Sequence, residues 1–129
     1  MRITLRNGSV IQLVGTDNID TIVGTNPVGV VFSEYALQNP KAWELIRPIL
    51  ALNEGWCVFN FTPRGRNHGF RLFSMADKNP DWFVQKLTVE DTGLLGVEDI
   101  ERERIEGMPE ELIQSEYFCS WDAPLPGAY

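Results

Sequence analysis

Two short apolar runs, Val28 to Phe32 and Trp56 to Phe61, lie on either side of one stretch of helical periodicity. That order constrains the fold more than any other feature of the chain. Val28-Gly29-Val30-Val31-Phe32 is apolar without alternation, the pattern of a strand covered on both faces of a parallel sheet. Between the runs, Asn39-Pro40 reads as an N-cap followed by proline at the first helical position, and Ala42, Trp43, Leu45, Ile46, Ile49 and Leu50 form an apolar face behind it. Pro48 has no N–H to offer the carbonyl of Glu44, so a kink or a break is expected there. Strand, crossover helix and strand predict a parallel pair, because parallel neighbours need a crossover of this length.

The rest of the chain extends the pattern. Arg2 to Leu5 and Val10 to Val14 predict two strands joined at Asn7-Gly8, a strong two-residue hairpin signal. A polar, glycine-punctuated loop is expected from Gly15 to Pro27. After the second apolar run, Thr62-Pro63-Arg64-Gly65-Arg66-Asn67-His68-Gly69 reads as a loop, with Asn67 and Gly69 as turn residues and a helix from about Phe70 to Ala76. A third strand is expected over Trp82 to Val89, a helix from Val97 to Glu106 that stops at Gly107, and a helical restart over Pro109 to Ile113. Trp43, Trp56 and Trp82 lie on apolar faces and are expected in the core. Pro124, Pro126 and Gly127 break regular structure and read as the start of a linker over 124–129, which leaves 1–123 as the folded portion.

Charge is unevenly distributed. The net charge is −7, and Glu98, Asp99, Glu101, Glu103, Glu106, Glu110, Glu111 and Glu116 gather in one C-terminal stretch, most simply a solvated helical face. Residues 55 to 76 contain no acid, and Arg64, Arg66, Arg71 and the lone histidine, His68, fall within them. Cys57 and Cys119 have no ligand-spaced partners, so reduced thiols are expected rather than a zinc site or a disulfide framework. No run is apolar over the roughly 18 residues a membrane span needs, which predicts a soluble, cytosolic chain.

The chemistry concentrates at the carboxyl ends of the two apolar runs, where open α/β sheets gather their ligands. Glu34 follows the first run and Thr62 the second. A carboxylate there can take a proton from an attacking water, and a neighbouring hydroxyl can hold that water or a phosphate oxygen. On spacing alone, an acid that ends a strand and meets solvent is an equal reading of Glu34, and a threonine bonding its own turn is an alternative for Thr62. Arg64 and Arg66 read as contacts to DNA phosphate or to a neighbouring subunit, with a solvated basic loop as the alternative. His68 reads as a hydrogen-bonding loop residue.

The stretch "GSVIQLVGTDNIDTIVGTNPVGVVFSEYALQNPKAWELIRPILALNEGWCVFNFTPRGRNHGF" resembles the large terminase subunit of tailed bacteriophages, the ATP-driven motor that packages DNA. In that family an apolar strand ending in Asp-Glu is the Walker B motif, matched here by Val30-Val31-Phe32-Ser33-Glu34. A strand ending in Thr-Pro-x-Gly is the coupling motif, matched by Phe61-Thr62-Pro63-Arg64-Gly65. The resemblance continues through "WFVQKLTVEDTGLL" and "EDIERERIEGMPEELIQSEYFCSWDAPLPGAY". It implies an α/β fold, the later part of a P-loop NTPase of the additional-strand, catalytic-glutamate type, with a largely parallel sheet flanked by helices. It implies Glu34 and Thr62 as catalytic residues, Ser33, Glu34 and Thr62 at the nucleotide, and ATP with Mg²⁺ as cofactors. The partners it implies are the P-loop half of the ATPase domain, a nuclease domain, the small terminase subunit, the portal protein and double-stranded DNA, in the cytoplasm of a bacterial host.

The chain departs from the family pattern at three places. Ser33 stands where the family carries the aspartate that helps hold Mg²⁺. Val23-Gly24 stands where some relatives carry an Arg-Gly finger. No Gly-x-x-x-x-Gly-Lys-Ser/Thr occurs: Lys41, Lys78 and Lys86 follow Pro40, Asp77 and Gln85. The expectation is a motor fragment that is inactive alone; the alternative is a stand-alone, non-catalytic module that binds a terminase partner or DNA.

Overall fold

The computed structural model describes residues 1–123, and the expected linker lies outside the described residues. The chain divides into two compact units, Met1–Asn60 and Phe61–Tyr129. The described residues form an α/β fold of helices and two small sheets, one of them a parallel pair.

The first unit opens on the expected antiparallel hairpin, β1 (Arg2–Thr4) with β2 (Val10–Gln12). Gly8, at φ 88°, takes the left-handed position of its turn, and the Asn7 side chain accepts a hydrogen bond from the Ser9 amide at 3.0 Å. The segment expected to be a loop instead forms a 3-10 turn at Thr16–Asn18 and α1 (Ile19–Gly24). Six residues are too few for a helix to persist alone, and α1 is held by packing on α2 (Lys41–Leu52).

β3 (Gly29–Ser33) and β4 (Trp56–Asn60) pair in parallel, Gly29 opposite Trp56 and Ser33 opposite Asn60, with α2 as the crossover. The Asn39 side chain accepts from the Lys41 amide at 3.0 Å, which caps α2 as the sequence predicts. The break anticipated at Pro48 does not occur, and α2 runs through it. Pro48 and Glu44 both lie on the exposed side, where water can replace the one lost bond. Gly55 marks a close approach at the start of β4. A Cβ there would run into the Val28 carbonyl oxygen, which accepts the Trp56 amide at 3.0 Å.

The core of this unit is aromatic. The buried Phe32 ring stacks on Phe59 with centroids 4.8 Å apart, and meets Tyr35 and Trp43 edge-on at 5.8 and 6.0 Å. Ala42, Ile46 and Leu50 of α2 are buried as well. Among the described residues only one face of the sheet is covered, contrary to the reading of Val28 to Phe32 as doubly buried. Val31, Trp56 and Val58 share the other face and are 57%, 56% and 48% exposed, so Trp56 is no core residue. Its ring lies over the bare Cα of Gly29.

The second unit is helical. α3 (His68–Asp77) begins two residues earlier than predicted, because Asn67 is its N-cap: the buried side chain accepts the Gly69 amide at 2.9 Å. No strand forms over 82 to 88. A strand needs a hydrogen-bonding neighbour, and none pairs with this segment among the described residues. Val89 instead starts α4 (Val89–Thr92), where Thr88 and Asp91 form a reciprocal capping box. α5 (Val97–Ile105) ends at Glu106 and Gly107, the latter at φ 103°, and α6 (Glu110–Glu116) follows Pro109. Ala76, Ile100 and Ile113 are buried.

Arg104 of α5 reaches Glu110 of α6 at 2.8 Å and Glu101 of its own helix, one turn back, at 3.1 Å. Hydrogen bonds from Arg104, and then from Gln114, hold the Glu110 carboxyl down to about 2 from an ordinary 4.5. A depressed folded-state value means that this stabilisation is present above the unfolded value and is lost as pH falls from about 4.5 through about 2. An NMR titration of the Glu110 side chain should find its midpoint near 2, rising toward 4.5 in Arg104→Ala. The same midpoint in both proteins would mean that the ion pair does not form in solution.

Candidate functional site

The carboxyl end of β3 has an unusual backbone. Glu34 sits at φ 54°, ψ 47°, in the left-handed region, and the chain then enters a 3-10 turn at Tyr35–Leu37. For a residue with a Cβ this conformation costs about 1–2 kcal/mol, and such strain collects at functional positions. The structure shows what holds it. Tyr35 and Ala36 are buried, the Tyr35 ring sits 4.8 Å edge-on to Phe59, and the Leu37 amide donates to the Glu34 carbonyl at 2.9 Å. Anchoring the turn through Tyr35 leaves the Glu34 side chain on the exposed side.

Gln38 completes the turn, a role the sequence reading missed. Its Nε2 donates to the Ser33 carbonyl, which clamps the last residue of β3, while its Oε1 is shut off from solvent without a partner among the described residues. Nothing in the sequence distinguishes Gln38 from any polar residue before a helix. Ser33, exposed and opposite Asn60, ends the parallel ladder. Cys57, one residue into β4, is partly buried and its thiol is pushed up by desolvation, the inert state of a packed cysteine.

Thr62, Arg64 and Arg66 belong to the second unit, in the loop before α3. Thr62 is half-buried and Pro63 is buried. The hydroxyl of Ser115, itself fully buried in α6, donates to the Pro63 carbonyl. Arg64 reaches Glu116 at 2.9 Å, and Arg66 reaches Asp122 through Nε at 2.9 Å and Nη2 at 2.6 Å. The Arg66 guanidinium also lies over the Phe70 ring at 5.1 Å. Trp121 packs on Phe61, Phe70 and Phe73 with centroids 6.0, 5.3 and 5.6 Å apart. The basic loop is therefore not simply solvated, since the final acidic segment closes on it. Sequence reasoning kept the two apart because they are separated by some fifty residues.

A cavity of about 490 Å³ in the second unit is lined by Ala76, Lys78, Pro80, Trp82, Phe83 and Val84. It contains none of the predicted site residues. Among the described residues no three His, Cys, Asp or Glu side chains gather as a metal site, and no helix is long and apolar enough to cross a membrane. No family model, curated protein or solved structure matches this chain.

Proposed function

We propose that this chain is the Walker B and coupling-motif portion of a phage terminase ATPase, the motor that packages DNA, and that it becomes active only with a P-loop half. The observation that carries the reading is the end of β3. A parallel strand hands over to an exposed glutamate held in a strained left-handed turn by a buried neighbour. A carboxylate so fixed suits a general base for an attacking water. Thr62, at the end of the second apolar run, would sense the nucleotide and pass its state to the following loop.

The sheet supports the same reading. Parallel strands are normally covered on both faces, whereas among the described residues β3 and β4 have one apolar face open and no further strand beside either. A P-loop half would supply the missing strands and the phosphate cradle. At the end of β3 the groups available to Mg²⁺ are the Glu34 carboxylate and the Ser33 hydroxyl, too few to hold the ion unaided. The cation would arrive with ATP, whose phosphates supply the remaining ligands. The nuclease domain, small terminase subunit, portal protein and duplex DNA are the further partners of this proposal.

Reconstitution tests it. The isolated chain should release no phosphate from ATP, and a terminase P-loop half alone should release none either. Mixed, the two should form a complex that hydrolyses ATP. A complex that binds but does not hydrolyse would favour the non-catalytic module, and no complex with any terminase P-loop half would sink the motor-fragment reading and leave the module only its DNA-binding form.

A further inference from the structure

We propose that the loop of residues 62–67 is a phosphate-binding loop whose two arginines are occupied by the chain's own carboxylates, so that Glu116 and Asp122 compete with phosphate for them. The pairing is chemically incomplete. A guanidinium facing a carboxylate can make two parallel bonds to two oxygens. Arg66 instead brings both Nε and Nη2 to a single atom, Asp122 Oδ1. Arg64 bonds Glu116 through Nη2, and its Nε is closed off from solvent with no acceptor among the described residues. A phosphoryl group, with more oxygens spread over a tetrahedron, can serve donors that a carboxylate leaves unused.

The surroundings favour exchange. Residues 55 to 76 bring no acid of their own, so both carboxylates come from the distant segment that Trp121 and Ser115 tie to the loop. The Arg66 and Asp122 side chains are 62% and 73% exposed, which leaves their pair screened by salt and open to a competing anion. The Arg64 pair is more enclosed and should release second. The phosphate could belong to a nucleic-acid backbone or be a small free phosphate. Only the first source draws on the packaging reading, and neither requires ATP hydrolysis, so failure of the reconstitution leaves this test readable.

Two titrations of the full chain separate the outcomes: fluorescence anisotropy with a short labelled DNA duplex, and NMR of the arginine Nε–H groups with either the duplex or inorganic phosphate. Removing both acids, Glu116→Gln with Asp122→Asn, should tighten duplex binding about tenfold and steepen the log–log salt dependence by about 2. Arg64→Ala with Arg66→Ala in that background should abolish the gain. Glu90→Gln with Glu111→Gln, the same charge change at exposed acids elsewhere, should leave binding nearly unchanged. Asp122→Asn alone, at an exposed pair, keeps the test in a folded chain and should give part of the gain. If inorganic phosphate moves the Arg64 and Arg66 resonances and the duplex does not, the loop serves a small phosphate. The proposal is overturned if the Glu90 and Glu111 variant gains as much, if the gain survives loss of both arginines, or if neither anion moves those resonances in any variant.

Discussion

In the complex reconstituted with a P-loop half, Glu34→Gln should slow ATP hydrolysis by about 10²–10⁴-fold and leave nucleotide affinity nearly unchanged. Glutamine keeps the size and the exposed position of the side chain, so Tyr35 still anchors the turn and Gln38 still clamps Ser33. What disappears is a proton acceptor, and a base contributes to the chemical step rather than to holding phosphates. Glu34→Gly sharpens the test. Glycine relieves a left-handed cost of about 1–2 kcal/mol, against about 0.5–1 kcal/mol of added chain entropy. That variant should therefore be inactive yet no less stable than wild type, the signature of strain retained for function. Full hydrolysis in Glu34→Gln would remove the glutamate from the chemistry.

Phe32→Ala should destabilise the first unit by about 3–5 kcal/mol, enough to unfold a marginal domain of this size. Phe32 is only 3% exposed, and its ring touches those of Tyr35, Trp43 and Phe59, so its loss empties the junction of β3, β4, α2 and the Glu34 turn. Its neighbour Val31 points to the open face at 57% exposure, and Val31→Ala should stay within about 0.5 kcal/mol. Urea denaturation followed by tryptophan fluorescence and circular dichroism reads both. Equal losses would mean that the open face of the sheet is covered in solution, by a second copy or by another part of the chain.

Much of the first unit was legible because its signals are local. Asn7-Gly8 sets a turn through the left-handed Gly8 and the Asn7 side chain, Asn39 caps the next helix with its own side chain, and the unbroken apolar run ending at Phe32 requires a strand. Where the reading went wrong, the deciding partner was remote in sequence. α1 forms because α2 offers it a surface, and the segment from Trp82 to Val89, expected as a strand, yields none because no neighbour pairs with it among the described residues. The capping box at Thr88 and Asp91 was a local signal that went unread.

The same division runs through the site. From residue types and order alone, the sequence determined that an acid ends the first strand, that arginines and no acids fill the loop after the second, and that a helix bridges the strands. Tertiary structure alone decided that Glu34 is left-handed, because burial of Tyr35 against Phe59 outweighs the local backbone preference. It also decided that Arg64 and Arg66 meet Glu116 and Asp122, because the aromatic seat of Trp121 brings the acidic segment back over the basic loop. Backbone preferences act between adjacent residues and can be read in order along the chain, whereas burial and charge pairing depend on which distant residues the fold makes neighbours.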